Sequence, residues 1–355
     1  MADTATTPFF ELPDLLPQFI ASHHSRATGA GLDPHQYARV TAQLTSLHDW
    51  PEVFRAAARG HLEAAGRHEA AGHGVSAGEA FRTAARWFHY AVLLPHPDRE
   101  TAALAAQEAD DAMRRALAHL DPRAVRLDGP SFAGWLRRPA RPVAPRPPVV
   151  IVVPGLDSGK EEFHDVTDAL LRRGVATFTM DGPGQGVLAA TTAPRTDYHH
   201  VIGEVIDALE AHGDVDATAA GVIGLSLGGF YAAVCAAYQP RIRAAATVSG
   251  PYRLRWDEAP PFVTETLAQR SGGRQRAEEF AGGVDLHGVA ARITRPLRVV
   301  DGGTDVIPGV TNGEPLAREA PRGEYLLVPH GDHLLGNARA DWLPSTCDWL
   351  AGALR

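Results

Sequence analysis

The sequence has few cysteines, the residues that mark disulfide-rich proteins and many zinc sites. Among its 355 residues there are only two cysteines and one lysine. Cys235 and Cys347 lie in predicted helices with no metal-ligand spacing, so we expect neither a disulfide framework nor a zinc site. The 17 histidines also follow no recognisable ligand spacing. We therefore expect no bound metal and no cofactor.

An excess of basic charge and a long apolar run are also absent. The formal net charge is −8, which leaves no basic surface for nucleic acid and no polybasic segment for a membrane. The first residues, MADTATTPFFELPD, lack the basic and apolar segments of a secretory leader, and no later run approaches the length of a membrane span. The sequence predicts a cytoplasmic protein that binds neither nucleic acid nor a membrane.

The first 122 residues have patterns typical of helices. Asp33, directly before a proline, predicts a helix start, and Asp49 followed three residues later by Glu52 has the spacing of a capping box. A further helix is expected from about 98 to 120. Since no strand alternation occurs here, we predict an N-terminal all-α domain, residues 1–122, of about five helices.

Residues 123–355 alternate short apolar strands with helices, which favours a mostly parallel sheet covered by helices on both faces. The strands are predicted at 124–127, 131–136, 148–153, 175–180, 221–225, 244–249, 297–300 and 324–328. A stretch near 252–291 breaks the alternation with several short helices. We therefore predict a doubly wound α/β catalytic domain with a helical insertion.

The stretch Gly224-Leu225-Ser226-Leu227-Gly228 is a G-x-S-x-G pentapeptide between an apolar run and an alanine-rich helical segment. A nucleophile elbow needs this strand, sharp turn and helix. Small residues must flank the serine because the backbone there is strained and closely packed. The alternative is a glycine-rich turn that happens to carry a serine. We predict that Ser226 is a nucleophile held above the sheet.

Two further residues follow later strands in the order that a catalytic triad requires. Asp305 lies after the penultimate predicted strand and His333 after the last, and functional residues of open parallel sheets lie at the carboxyl ends of strands. His333 would take the proton of Ser226 and later return it to the leaving group. Asp305 would orient the imidazole and stabilise its charged form.

Neighbouring residues remain alternatives for these roles. Asp301 is a second candidate acid, but it lies at the strand terminus, whereas Asp305 lies out on the loop. His330 is a second candidate base and Asp332 a third acid, although both lie in a stretch with turn chemistry.

The oxyanion hole is expected to use two backbone N–H groups. One belongs to Leu227, directly after the nucleophile, and the other to the loop after the strand ending at Val153. That loop reads Pro-Gly-Leu-Asp-Ser-Gly-Lys-Glu-Glu, and its first glycine lets the backbone turn an N–H inward. Leu156 is the predicted second donor.

Four motifs, taken together, resemble one group of proteins. They are GLDSGKEE at 155–162, DGPGQG at 181–186, GLSLGG at 224–229 and GDH at 331–333. The chain resembles the α/β-hydrolase group that includes 2,6-dihydroxypseudooxynicotine hydrolases, fermentation-respiration-switch esterase-like proteins and fungal heptaketide pigment hydrolases. The resemblance implies Ser226, Asp305 and His333 as the triad, with Leu156 and Leu227 at the oxyanion hole. It also implies that the N-terminal helices cap the site and that the chain forms a homodimer.

Members of this group cleave either a C–C bond next to a ketone or an ester, and one branch uses an additional carboxylate. Asp257 and Glu258 are nearby candidates for that carboxylate. We therefore expect a serine hydrolase that acts on a 1,3-dicarbonyl compound or an ester in a small aromatic or polyketide-like molecule. The alternatives are a cyclase or acyltransferase of natural-product biosynthesis and a non-catalytic regulatory protein on the same fold.

Aromatic residues of the helical domain and the insertion are candidate walls of a substrate pocket. Those assigned as substrate contacts are Trp87, Tyr90, Trp256 and Phe262, with Trp50 and Phe54 as further candidates. Packing in a hydrophobic core is the alternative for most of them.

Overall fold

The computed structural model describes residues 9–95 and 99–355. In the described part of the first 120 residues there are five α-helices. They are α1 (Leu15–Gly29), α2 (Pro34–Thr41), α3 (Trp50–Ala70), α4 (Gly74–Tyr90) and α5 (Arg99–Leu120). The helix predicted to begin near Asp98 is present as α5, and Asp98 itself lies outside the described residues.

The helix starts show one confirmed prediction and one correction. Asp33 caps α2, because its carboxylate accepts the N–H of Gln36 at 2.7 Å. Asp49 does not cap the residues after it, since its carboxylate accepts the N–H groups of Thr45 and Ser46, each at 2.9 Å. The predicted capping box therefore lies one turn earlier, with Ser46 as its cap and Asp49 as its acidic partner.

The rest of the chain forms an eight-stranded, mostly parallel sheet among the described residues. Its strands are β1 (Val125–Gly129), β2 (Phe132–Arg137), β3 (Pro148–Val153), β4 (Ala176–Asp181), β5 (Asp216–Leu225), β6 (Ile242–Val248), β8 (Leu297–Gly302) and β10 (Gly323–Val328). They lie in the order β1-β2-β4-β3-β5-β6-β8-β10. The β1–β2 and β2–β4 pairs are antiparallel and the other pairs are parallel.

Helices cover both faces of this sheet. They are α6 (His164–Leu171), α7 (His199–His212), α8 (Leu227–Tyr238), α11 (Glu314–Glu319) and α12 (Arg339–Ala353). Successive side chains of a strand point to opposite faces. In β3, Val149 and Ile151 join the core beneath α7 and α8, whereas Val150 and Val152 join the core beneath α6 and α12. The predicted doubly wound α/β fold is confirmed.

The stretch near 252–291 is a helical insertion with a small sheet of its own. It holds β7 (Arg253–Leu254), α9 (Pro261–Ser271) and α10 (Arg274–Gly282), and β7 pairs with β9 (Val310–Thr311). The predicted domain boundary at residue 122 falls in the connection between α5 and β1, and the division into two domains stays a prediction. In the described residues no helix is both long and apolar enough to span a membrane.

Candidate active site

The backbone at Ser226 has the strained geometry of a nucleophile elbow. Ser226 lies between β5 and α8 with φ 55° and ψ −129°, a conformation that side chains rarely adopt. A Cβ at Gly224 would overlap the carbonyl of Gly228, and a Cβ at Gly228 would overlap the carbonyl of Val153. Both glycines are therefore required by close approach of the backbone, as the pentapeptide predicts.

The structure brings Ser226, His333 and Asp305 together. Their loops follow β5, β10 and β8, whose carboxyl ends lie at one edge of the sheet. His333 Nε2 lies 3.0 Å from Ser226 Oγ, and Nδ1 lies 3.0 Å from each carboxylate oxygen of Asp305. This is a continuous hydrogen-bonded relay from hydroxyl to imidazole to carboxylate, the arrangement that activates a serine.

The alternative acids and base have other partners. Asp301 accepts the backbone N–H of Gly313 at 2.8 Å. His330 is exposed and lies 3.2 Å from Asp341, and Asp332 accepts the hydroxyl of Ser25. In the described residues, none of these three side chains forms a hydrogen bond with the side chain of His333 or Ser226, so the geometry favours Asp305 and His333.

The charge around His333 sets its protonation. Burial by itself lowers the pKa of His333, but the Asp305 carboxylate outweighs it, so that the pKa lies above its usual value of 6.5. The buried Arg26 lowers the pKa again, and Asp157 raises it. His333 is thus a basic imidazole that can accept a proton from Ser226 and hold it.

Two backbone N–H groups near Ser226 lack an acceptor among the residues that the structure describes. Within residues 9–95 and 99–355, neither the N–H of Leu156 nor that of Leu227 donates a hydrogen bond. Leu227 is the first residue of α8, where helix geometry leaves the N–H unpaired. Leu156 lies in the loop at residues 154–162, the β3 loop, and a Cβ at Gly155 would lie 2.9 Å from Ser226 Cβ. The β3 loop therefore lies directly against the serine.

An apolar cavity of about 60 Å³ adjoins Ser226 and His333. Its walls are largely aliphatic side chains of the β3 loop, β7, α9 and the loop after β8, including Leu156, Leu254, Val263, Leu267 and Ile307. Among the described residues that line it, the polar side chains are those of Ser226, Ser249 and His333. The cavity therefore suits an uncharged, apolar group.

In the described residues, none of the predicted aromatic contacts lines this cavity, and their role in substrate binding stays a prediction. Trp87 and Tyr90 are fully buried in the core of the helical region, as are Trp50 and Phe54. These large rings pack between the helices of this region, together with aliphatic side chains such as Leu93 and Met113.

The two predicted aromatic contacts in the insertion are also outside the lining. Trp256 packs against the sheet core, with the Arg274 guanidinium 5.4 Å from its ring centroid. Phe262 packs against the helical region, 5.4 Å from the ring of Phe19. Instead, α9 presents its aliphatic residues to the cavity.

The candidate extra carboxylates of the insertion lie at the surface, outside the cavity lining. Asp257 and Glu258 are both exposed, and Glu258 pairs with Arg255. A buried carboxylate does lie close to the site, at Asp157, directly after Leu156. Its Oδ2 accepts a hydrogen bond from Arg26 at 2.7 Å.

Comparisons with known proteins identify the family. Residues 144–275 match the family described as serine aminopeptidase, S33. Over 315 residues the chain is 30% identical to 2,6-dihydropseudooxynicotine hydrolase of Paenarthrobacter nicotinovorans, and the alignment spans 86% of this chain and 84% of that protein. The chain belongs to the α/β-hydrolase family. It is therefore a hydrolase, as its motifs predict.

Other family members support this placement. The crystal structure of 2,6-dihydroxy-pseudo-oxynicotine hydrolase has a TM-score of 0.82 at 28% identity and covers 93% of this chain and 95% of its own. The 20-hydroxy-prefusarin hydrolase FUS2 of Gibberella moniliformis is 38% identical over 115 residues, which span 30% of this chain and 27% of that protein. The first similarity extends through the helical region, whereas the second covers less than a third of either chain.

The sequence does not predict how the helical region holds the β3 loop. Arg26 of α1 is buried, and its Nε and Nη2 donate to Glu162 at 2.6 and 2.9 Å. Nη2 also donates to Ser158 at 3.0 Å. In sequence, Arg26 follows a polar stretch and has the pattern of a solvated helix face, so no local signal marks it as buried.

The one lysine has a similar role. Lys160 of the β3 loop is buried, and its ammonium lies 2.7 Å from Asp181, 2.9 Å from Glu161 and 3.0 Å from Asp110 of α5. Burial alone would lower the pKa of Lys160, but the three carboxylates raise it far above its usual range. Lys160 therefore stays charged and ties the β3 loop to both the sheet and the helical region.

Proposed function

We propose that this chain is a serine hydrolase whose nucleophile is Ser226, with His333 as general base and acid and Asp305 as the orienting carboxylate. The single observation that carries the proposal is the unbroken relay of 3.0 Å contacts from Ser226 through His333 to Asp305. The strained elbow at Ser226 adds to it, because such strain persists mainly where function requires it.

The reaction begins with addition of Ser226 Oγ to a substrate carbonyl, while His333 Nε2 takes the hydroxyl proton. The carbonyl oxygen becomes an oxyanion that accepts hydrogen bonds from the N–H groups of Leu156 and Leu227. Collapse of this intermediate breaks the bond to the leaving group, which receives the proton from His333. Water then adds to the acyl-enzyme by the same steps and releases a carboxylic acid.

The substrate proposed is a small aromatic or polyketide-like molecule with a 1,3-dicarbonyl unit or an ester. In a 1,3-dicarbonyl compound the leaving carbanion is an enolate stabilised by the second carbonyl, so the triad can break a C–C bond without a metal or a cofactor. The apolar walls of the cavity, including Leu254 and Leu267, favour an uncharged acyl group. The similarity to 2,6-dihydropseudooxynicotine hydrolase over most of both chains supports the hydrolytic class.

The test uses one aromatic scaffold carried by two substrates, an aryl 1,3-diketone and the matching ester, in water enriched in ¹⁸O. Wild type is compared with Ser226→Ala and with Ser345→Ala, an exposed serine on α12 that serves as the matched control. Product masses report the bond cleaved and the entry of one solvent oxygen into the acid.

Cleavage of either substrate by wild type and Ser345→Ala, with loss in Ser226→Ala, supports the proposal. Cleavage of the diketone assigns C–C hydrolysis, and cleavage of the ester alone assigns an esterase. A product that has lost the leaving group without gaining water would show that the reaction is cyclisation and not hydrolysis. Cleavage that persists in Ser226→Ala would contradict the proposed nucleophile.

A further inference from the structure

Gln185, in the DGPGQG segment after β4, contacts the β3 loop directly upstream of Leu156. Its side chain is buried, with 2% of the residue exposed. Nε2 donates hydrogen bonds to the carbonyl of Pro154 at 2.6 Å and to the carbonyl of Gly155 at 3.0 Å. The Gln185 amide therefore holds two successive carbonyl groups at the start of the β3 loop.

The other end of the same amide is fixed by two donors. Oε1 of Gln185 accepts the N–H of Gly182 at 2.9 Å and the hydroxyl of Tyr198 at 2.9 Å. An amide nitrogen can only donate and an amide oxygen can only accept. Since Gly182 offers a donor at one end and the two carbonyls offer acceptors at the other, the network specifies the orientation of the Gln185 amide.

The carbonyl of Gly155 and the N–H of Leu156 belong to one peptide group. That group is planar and trans, so its C=O and N–H point in opposite directions. A hydrogen bond that fixes the direction of the Gly155 carbonyl therefore also fixes the direction of the Leu156 N–H.

We propose that Gln185 is a positioning residue of the oxyanion hole, which acts through the Gly155–Leu156 peptide to direct the Leu156 N–H. This inference rests on the proposed function, because it requires that Leu156 donates to an oxyanion formed at Ser226. Gln185 itself does not touch the reacting atoms. Its effect is confined to how well the hole is preorganised.

The same network reaches the second donor. Tyr198 is fully buried and stacks on Tyr231 of α8, with ring centroids 4.1 Å apart and an interplanar angle of 11°. Leu227 begins α8, so the side chains of Tyr198 and Gln185 connect the helix that supplies one N–H with the loop that supplies the other. The positions of the Leu156 and Leu227 N–H groups are thereby coupled through buried side chains.

Gln185→Met tests this, because methionine has a similar length but cannot donate a hydrogen bond and is only a weak acceptor. Tyr198→Phe is a milder variant that removes one donor to Oε1 and keeps the stack on Tyr231. Gln239→Met is the matched control, since Gln239 also donates to a backbone carbonyl, that of His199 at 3.2 Å, at the far end of α8. Ser226→Ala is the control for the nucleophile.

The probes are an alkyl fluorophosphonate, which phosphonylates the serine, and an aryl-alkyl trifluoromethyl ketone, which forms a hemiketal oxyanion with it. We expect Gln185→Met to lower the maximal rate of phosphonylation by about 10- to 100-fold, somewhat less than complete loss of an oxyanion donor. The ketone's affinity should fall in parallel. The concentration for half-maximal phosphonylation should stay unchanged, because the oxyanion contact is absent from the non-covalent complex.

A general loss of structure would also change that concentration and the melting temperature, so these readouts separate positioning from stability. Tyr198→Phe should show a several-fold decrease in the same rate, and Gln239→Met none. If Gln185→Met does not fold, Tyr198→Phe decides, and a rate equal to wild type overturns the inference.

The experiment distinguishes failure of the Ser226 triad from failure of the positioning role of Gln185. If wild type does not react with either probe, or if Ser226→Ala reacts equally, the proposed function fails and the inference fails with it. If wild type reacts through Ser226 and folded Gln185→Met keeps its rate and its affinity for the ketone, the inference about Gln185 is wrong while the triad stands.

Discussion

At the scale of single residues, the Asp305 carboxylate sets both the orientation and the basicity of His333. It lies 3.0 Å from Nδ1 through each of its oxygens and is almost fully buried. Burial opposes protonation of His333, whereas Asp305 favours it and raises the pKa above 6.5. Activity requires neutral His333, so it should rise with pH as His333 loses its proton, with a midpoint above pH 6.5.

Asp305→Asn tests this account. Loss of the carboxylate should lower kcat by about 10³- to 10⁴-fold, because the imidazole is no longer held in the right tautomer. The acid limb of the residual activity should also move to lower pH, since the charge that raises the pKa of His333 is gone. A pH–rate profile measured with the cleaved substrate, or with the fluorophosphonate, reports both effects.

Asp301→Asn is the matched control. Asp301 bonds to Gly313 rather than to His333, so we expect kcat within several-fold of wild type and an unmoved acid limb. The reverse result, with Asp301→Asn inactive and Asp305→Asn active, would reassign the acid to Asp301.

The residues of the proposed triad could be chosen from the sequence, because each of them follows a strand that the sequence predicts. Ser226 lies in a pentapeptide whose strand, turn and helix are contiguous, and Asp305 and His333 follow recognisable strands. Arg26 and Gln185 could not be assigned, because each acts across a tertiary contact. Gln185 contacts a carbonyl 31 positions away, and Arg26 contacts a carboxylate 136 positions away.

At the scale of secondary-structure elements, the β5–Ser226–α8 elbow depends on glycines that leave room for neighbouring backbone. Helix α8 begins directly after Ser226, as the alanine-rich segment that follows the pentapeptide predicts. The cap at Asp49 was misassigned, because the same acidic residue can close the turn before it or the turn after it. Spacing alone does not distinguish these two.

Gly224→Ala is predicted to destabilise the fold. The new methyl group would overlap the carbonyl of Gly228, and overpacking of this kind costs about 1–3 kcal/mol. Urea unfolding should report the loss, and reactivity of Ser226 should fall with it because the elbow must open.

Gly60→Ala provides the matched control. Gly60 lies in the interior of α3, is exposed and has no atom within 4 Å of an added Cβ. The same substitution should therefore stabilise the chain by about 1 kcal/mol through helix propensity. Equal effects of the two variants would contradict the role given to the elbow.

At the scale of the whole molecule, buried ion pairs join the helical region to the β3 loop. Burial alone would raise the pKa of Asp157 and Glu162, but the Arg26 guanidinium overcomes this and lowers both. His89 adds a contact to Glu162 at 3.0 Å. The helical region is thus attached to the active site by charge, although it does not line the cavity at Ser226 in the described residues.

Arg26→Gln should be strongly destabilising at neutral pH. It leaves Asp157 and Glu162 buried without their main partner, and breaking a buried pair in this way costs about 3–5 kcal/mol. In wild type both carboxyls have lowered pKa values, so their contribution to stability is present at neutral pH and is lost as the pH falls through those values. In the variant, burial raises both pKa values, so the cost should shrink as the pH falls from 7 to 5.

Urea unfolding at the two pH values measures this difference. Arg59→Gln is the matched control, since the exposed Arg59 side chain pairs with the exposed Glu52 within α3 at 2.9 Å. Its cost should be about 1 kcal/mol or less. If the destabilisation by Arg26→Gln equals that of the control variant, or does not change with pH, the role given to the buried ion pairs of Arg26 is contradicted.

The homodimer expected from the family resemblance stays a prediction.

The central claim is that Ser226 is the nucleophile, and covalent labelling tests it most directly. Wild type is treated with the fluorophosphonate, digested with trypsin and analysed by peptide mass. We predict a single adduct on the peptide 196–241, in which Ser226 is the only serine, and we predict none in Ser226→Ala. An unlabelled wild type, or an adduct that persists on another peptide in Ser226→Ala, would contradict the account.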